Sequence, residues 1–410
     1  MLPYLVILIL VWHRWNEKRI VDLRWSNIDG MNVRFLVFIS LVAAALGLAA
    51  FYVGTRVLTW SEWAATHGAA VWLTLAICIV LQFLGPILYR ALPRHKNKLF
   101  FLHWLTYTAL GVFACMFFYV LVADVLVGLV ALVFPFDGVA HAQLAIVCAM
   151  VSITLVVGSL QVAFGPRVYR IDIPLPNLPH AFNGFRIVQL SDLHLGPMIG
   201  ARYAERCVRV ANQLDADVVA LTGDFVDGAV AHLKQAAAPL AGLRAKQGVF
   251  FITGNHEYYS GVLEWIDEFK RLGTDVLLNR HVVLRRGDGE IVLAGVTDYS
   301  AGRMVPAHAS DPARAIHGAP PGAVKILLAH HPKSYAAAAQ AGFDLQLSGH
   351  THGGQFFPFS VVVRIAERYY KGLYKIGALW LYVSRGTGYW GPPLRFGVPP
   401  EIGVITLRRA

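Results

Sequence analysis

The sequence predicts a layered α/β domain with a mixed sheet, preceded by an all-α membrane region of four helices. Three observations carry this. Apolar residues make up 56% of the 410-residue chain and are concentrated before residue 165, in four runs long enough to cross a bilayer as helices. From Phe185 onward, short strand-like runs alternate with helical stretches, the pattern of a layered α/β domain. Polar clusters of Asp, Asn and His follow several of those strands, where open α/β sheets place their ligands.

In chain order, residues 1–30 form an N-terminal extension. Leu2 to Trp12 is apolar but too short to span a bilayer, and a charged stretch follows it. It lacks the basic start and small-residue cleavage site of a signal peptide. Met31 opens a cleaner membrane-protein start, which leaves open whether the extension belongs to the mature protein. The membrane region, 31–165, holds expected spans at Val33–Val57, Ala69–Leu92, Phe100–Phe134 and His141–Phe164. Asp124 lies in the third. It is either an intramembrane acid with a function or a residue at the far interface.

Loop charge sets the expected orientation. Arg14, Lys18, Arg19, Arg24 and Arg34 precede the first span; Arg90, Arg94, Lys96 and Lys98 separate the second from the third; Arg167 and Arg170 follow the fourth. Both ends of the region should therefore lie on the cytoplasmic side of an inner membrane, with the later domain. The net charge of +11 is spread along the chain, with no basic recognition helix and no aromatic RNA-binding signature. A membrane surface is the expected acidic partner and nucleic acid is not. Cys78, Cys115, Cys148 and Cys207 have neither metal-ligand nor disulfide spacing.

Residues 166–184 contain Pro166, Pro174, Pro176 and Pro179 and read as an extended linker. Within 185–410, strands are expected at Phe185–Leu190, Val218–Leu221, Val249–Ile252, Ile291–Ala294, Ile326–Leu328, Leu345–Leu347, Trp380–Val383 and Ile402–Leu407. Helices are expected at Arg202–Leu214, Leu233–Lys246, Val262–Leu272 and Ser334–Ala341.

The chemistry centres on Ser348-Gly349-His350-Thr351-His352-Gly353-Gly354-Gln355. In extended backbone, residues two apart share a side, so both imidazoles can face one point. Neutral imidazole is the commonest metal ligand near neutral pH. Four more clusters stand upstream: Ser191-Asp192-Leu193-His194, Thr222-Gly223-Asp224-Phe225-Val226-Asp227, Thr253-Gly254-Asn255-His256-Glu257 and Ala329-His330-His331. Any one could be a turn or a helix cap. Five in order, each at a strand end and each supplying Asp, Asn or His, point to a metal centre.

These motifs resemble the ordered signature of the calcineurin-like metallophosphoesterase family: DxH, GDxxD, GNHE, a later His, and GHxH. The form SDLHLG and GHTHGGQ followed by Pro358, with Ser384 to Gly388, Pro392 to Arg395 and Pro400-Glu401, is similar to its bacterial membrane-associated branch. The resemblance implies a β-sandwich flanked by helices and a centre of two divalent ions. Asp192, His194 and His352 would hold one ion, Asn255, His330 and His350 the other, and Asp224 would bridge them. A metal-bridged hydroxide would attack phosphorus, with His256 at the leaving group and Asp227 orienting it. His331 competes with His330, and family usage favours His330. Oxygen and nitrogen ligands suit manganese, iron or zinc, manganese being preferred.

Phosphoprotein phosphatases of this kind follow the last Asp of the second motif with Arg. Gly228 stands there, which argues against that substrate class. Related membrane-associated members act on the pyrophosphate of UDP-2,3-diacylglucosamine, so the implied substrate is a phosphodiester, pyrophosphate or phosphomonoester, with a lipid-linked nucleotide among the candidates. Residues 356–374 mix aromatic and basic side chains and are either a packed surface lobe or a lid that meets the membrane. A non-catalytic metal sensor and a transporter with an attached hydrolase are the alternatives. Retention of His256 and Asp227 argues against the first, and the scarcity of charge in the spans against the second.

Overall fold

A computed structural model describes residues 33–91, 100–134 and 139–410; the N-terminal extension and most of the second basic loop lie outside these residues. Four apolar helices come first: α1 (Val33–Trp60), α2 (Gly68–Ala91), α3 (Phe100–Ala131) and α4 (Ala140–Phe164). Within the described residues, Ser40–Trp60, Phe100–Ala131 and Ala140–Phe164 are long and apolar enough to cross a membrane, and Gly68–Phe83 is a shorter apolar helix. Outward-facing Leu48, Phe51, Leu73, Leu126 and Val156 are all exposed, which water would penalise and lipid would not. Asp124 accepts a hydrogen bond from the Tyr52 hydroxyl at 2.5 Å and pairs with Arg56 Nε at 2.6 Å. The acid of the third helix is therefore paired with two side chains of the first.

The second half is a sandwich of two six-stranded sheets. One has the order β1 (Arg167–Leu175), β12 (Glu401–Arg409), β2 (Arg186–Leu190), β3 (Val218–Thr222), β4 (Val249–Ile252) and β5 (Asp275–Val276). The other runs β10 (Gly372–Ile376), β11 (Leu379–Val383), β9 (Leu345–Ser348), β8 (Val324–Leu328), β7 (Gly289–Gly295) and β6 (Arg280–Arg286). Alternating side chains explain the layers. Ile187, Val218, Ala220 and Ile252 point between the sheets, where they meet Leu293, Ile326, Leu328 and Leu347. Val188, Leu190, Val219 and Leu221 point outward, under α5 (Ala201–Asn212), α6 (Val230–Ala237) and, past the short α7 (Asn255–Tyr259), α8 (Val262–Arg271). On the far face Leu327 and Phe343 pack with Ala338 of α9 (Tyr335–Gln340).

The segment expected as a linker is extended, but it is also a sheet member. All nine residues of β1 pair in parallel with β12, from Arg167 opposite Glu401 to Leu175 opposite Arg409. Strands β2, β3 and β4 are mutually parallel, as are β7, β8 and β9. Their C-terminal ends meet at one rim of the sandwich, and the five polar clusters follow β2, β3, β4, β8 and β9 there.

Candidate metal centre

Every site residue singled out in the sequence reaches that rim. Asp192, His194 and His352 bring one ligand atom each within 4.8 Å of one another; so do Asp224, His330 and His350, and so do His194, Asp227 and His256. His194 Nε2 lies 3.0 Å from His352 Nε2 and 4.0 Å from Asp224 Oδ2. On the other side His330 Nε2 is 3.0 Å from Asp224 Oδ2, and His350 Nδ1 is 3.1 Å from Asn255 Oδ1 and 3.3 Å from His330 Nε2. Asp224 thus stands between the two groups. His330, not His331, faces it; the His331 ring stacks on His350 instead, centroids 4.1 Å apart.

The backbone is bent sharply to achieve this. Asp192, His194, Asp224, His350 and His352 have φ between 51° and 72°, and with Gln355 they are six of the eight non-glycine residues at positive φ among those described. A left-handed L-residue costs roughly 1–2 kcal/mol. Such strain persists only where the surroundings over-determine it, and it gathers at functional sites. Two glycines make room. A Cβ on Gly349 would sit 2.0 Å from Ser191 Oγ and 2.2 Å from Asp192 Oδ2, and one on Gly254 would sit 2.2 Å from Asp224 Oδ1.

Glu257 braces the loops from beneath. Buried at the start of α7, its carboxylate accepts the backbone N–H of Asp224 (2.9 Å), Phe225 (2.7 Å) and Gly254 (2.7 Å). Asp227 Oδ1 lies 2.6 Å from His256 Nδ1 and 3.0 Å from His194 Nδ1, which aims the Nε2 of both rings toward Asp224. His330 Nδ1 is held by the Thr222 carbonyl at 2.8 Å, again turning Nε2 to the centre. Holding a ligating imidazole through its second nitrogen is the usual support of a metal site.

The charges are tightly matched. Burial raises the Asp192 carboxyl. Burial would raise Asp224 as well, but His330 and His256 hold it well below the usual range. Burial would lower His256, yet the Asp224 and Asp227 carboxylates lift it to about 9. Asp192 Oδ2 is fully buried without a hydrogen-bond partner, while Oδ1 accepts the His350 N–H at 2.9 Å. An orphaned carboxylate oxygen costs about 1–3 kcal/mol or more. A cation supplies what it lacks, so the residues present fit a metal centre.

Two contributors carried no assigned role from sequence. Glu257 is one; its place in the third motif was visible, but not the three amides it accepts. Arg395 is the other. It is fully buried, and Nη2 donates to His352 Nδ1 at 2.9 Å. The run Pro392 to Arg395 was visible as part of the branch's form, but not the contacts its guanidinium makes.

The fold and the site agree with what this chain is similar to. The family model for calcineurin-like phosphoesterases matches residues 185–354. A transmembrane protein with metallophosphoesterase domain from Danio rerio is 35% identical over 327 residues, 75% of this chain and 75% of its own length. The Bos taurus protein of the same description is 38% identical over 277 residues, 65% of this chain and 62% of its own. An uncharacterized metallophosphoesterase of Campylobacter jejuni is 31% identical over 385 residues, 91% of this chain and 99% of its own. With that extent of likeness, and two buried ligand groups flanking one aspartate, the chain belongs to the calcineurin-like metallophosphoesterase family and is a metal-dependent phosphoester hydrolase.

Proposed function

We propose that the chain is a multi-pass inner-membrane protein that hydrolyses a phosphodiester, pyrophosphate or phosphomonoester at the cytoplasmic face, with a lipid-linked nucleotide such as UDP-2,3-diacylglucosamine as the leading substrate class. Asp192, His194 and His352 would hold one divalent ion, Asn255, His330 and His350 the second, and Asp224 would serve both; manganese is the preferred metal. The observation that carries this is the convergence of the other six side chains around Asp224, with Asp192 Oδ2 buried and short of a partner. Two ions held there acidify water and carry the charge of an in-line displacement at phosphorus.

The chain's own groups do the rest. His256, held through Nδ1 by Asp227, presents Nε2 beside the centre, where it can give a proton to the departing oxygen. Asp227 fixes the ring and balances its charge. Trp390, half exposed, lies edge-on to His256 with centroids 5.9 Å apart, an apolar wall at the mouth.

Support for a lipid-linked substrate comes from α10 (Phe359–Ala366), which follows the last ligand motif and exposes Phe359, Val361 and Ile365. Just before it, Phe357 stacks edge-on against Phe118 of α3, centroids 5.4 Å apart, so this apolar surface continues that of the membrane helices. Support for the cytoplasmic side is the charge of Arg167 and Arg170 after α4.

The test is a substrate screen of detergent-solubilised protein with added manganese, comparing a phosphomonoester, a phosphodiester and a UDP-linked lipid. Asp224→Asn and His256→Ala serve as controls. Turnover of one substrate that Asp224→Asn abolishes and His256→Ala cuts by ~10²–10⁴ is expected. Turnover that survives Asp224→Asn defeats the reading.

A further inference from the structure

The loop between β11 and β12 touches the metal centre at one end and the membrane helices at the other. At the inner end, Thr387 N–H donates to Ser191 O at 2.6 Å and Gly388 N–H to Asp192 O at 3.0 Å, so the loop is laced to the strand end that carries Asp192. Arg395 then reaches back across it. Its Nε donates to Gly388 O at 2.9 Å, and Nη1 donates to Arg385 O at 2.7 Å and to His352 O at 3.0 Å. Nη2 meets His352 Nδ1 at 2.9 Å. Nη1 thus holds the backbone carbonyl of one candidate ligand while the guanidinium lies against its ring, and the planar fork makes these contacts without rotamer freedom left over.

At the outer end, Arg395 and its neighbour Leu394 are seated in the helix pair. Arg395 N–H donates to Gly158 O of α4 at 3.1 Å. Leu394 is buried in the notch where α3 and α4 each present a glycine: a Cβ on Gly111 would meet Leu394 Cδ1 at 2.8 Å, and one on Gly158 would meet Leu394 Cδ2 at 3.3 Å and Arg395 N at 3.4 Å. Gln355, just past the last ligand motif, holds the loop a second time, donating to Trp390 O at 2.8 Å and Pro392 O at 3.0 Å. A continuous line of contacts therefore runs from α4 through Arg395 to His352.

We propose that Arg395 is a positioning residue for the metal centre, fixing His352, and that the Gly111–Gly158 notch of the membrane helices sets where Arg395 stands. This rests on the reading of His352 as a ligand. On this account the helices are more than an anchor, because they form part of the scaffold that shapes one half of the centre.

The experiment uses the full chain in detergent, stripped of metal and titrated with Mn(II), read by equilibrium binding and by electron paramagnetic resonance. Arg395→Met keeps the stem and removes every donor. It is expected to weaken one of the two sites about 10–100-fold, the usual loss when a ligand's outer support goes. The spectrum should change from that of an exchange-coupled pair to that of an isolated Mn(II), as the pocket of Asp224, His330 and His350 still fills. Gly158→Leu, which changes no polar group, should shift binding in the same direction by displacing Leu394. Gly128→Leu, on α3 where a Cβ meets nothing within 4 Å, should leave two-ion binding intact. If Arg395→Met does not fold, Arg395→Lys takes its place, with an intermediate loss expected.

Two Mn(II) bound to Arg395→Met as tightly as to wild type, or Gly158→Leu behaving like Gly128→Leu, overturns the proposal while leaving the dinuclear centre standing. Wild-type protein that takes up fewer than two ions overturns the dinuclear reading, and this proposal with it.

Discussion

Replacing Gly349 with alanine probes the site through space alone, since its backbone does not need a positive φ. The added methyl would lie 2.2 Å from Asp192 Oδ2 and 2.0 Å from Ser191 Oγ, whereas ordinary contact begins at 3.4 Å. One side must yield by about 1.2–1.4 Å. Ser191 cannot give way cheaply, because its N–H is held by Thr387 Oγ1 and its hydroxyl by Thr222 O. Asp192 is tied through its own N–H to Gly223 O and through Oδ1 to the His350 N–H. The displacement therefore falls on the Asp192 carboxylate or on the chain that carries His350 and His352. Overpacking of this kind costs about 1–3 kcal/mol of stability, and a misplacement near 1 Å at a reacting centre costs about 10²-fold in rate. Gly349→Ala should fold with a modestly lower melting temperature, bind about one Mn(II) rather than two, and lose at least 100-fold in kcat/KM on whichever substrate the wild type turns over. A variant with two ions and wild-type turnover would refute the claim that this glycine is needed for room.

Other consequences follow from the same geometry. In metal-free protein His256 titrates near 9 against about 6.5 unfolded, so its contribution, up to about 3 kcal/mol, is full below pH 6.5 and lost as pH rises through 9. Melting curves of wild type and His256→Ala should converge from pH 7 to 10, and a gap that widens contradicts the sign. Replacing Phe359, Val361 and Ile365 together with serine removes the exposed apolar face of α10. Hydrolysis of a lipid-linked substrate in vesicles should fall at least tenfold with a soluble chromogenic diester unaffected; equal loss on both would show a structural role instead. Asp124→Ala strands Arg56 and the Tyr52 hydroxyl. It should lower stability in detergent by about 1–3 kcal/mol without changing Mn(II) stoichiometry, and an altered stoichiometry would tie the acid to the site.

How far the fold could be read in advance depended on where each strand sits in its sheet. The eight strands expected from sequence are all present, as the interior members of the two sheets. The four that were not expected, β1, β5, β6 and β10, are the four edges. Interior strands bury both faces and need unbroken apolar runs, which the eye and the period both find. Edge strands tolerate proline and charge, because one row of their amides pairs with nothing and a blunted edge resists aggregation. Pro174 lies inside β1, and Arg280, Arg285 and Arg286 decorate β6. The features that made 166–184 look like a linker are those that suit an edge.

The site divides along a similar line. The nine residues named in advance were legible because each sits two to five residues beyond a strand whose period was clear, and the strand end dictates where the next side chain goes. Glu257 and Arg395 act from further off. Glu257 serves two amides of the loop after β3, 32 and 33 positions away in the chain, and Arg395 reaches His352 across 43. No local period encodes such contacts; they exist only once both sheets have closed and the loops after β2, β3 and β9 have come together. Arg395 adds a third party, since its own backbone N–H is spent on the Gly158 carbonyl of α4. A guanidinium buried that deeply, beside a candidate ligand and held from the membrane side, makes the geometry of the centre depend on helices whose sequence advertises nothing but apolarity.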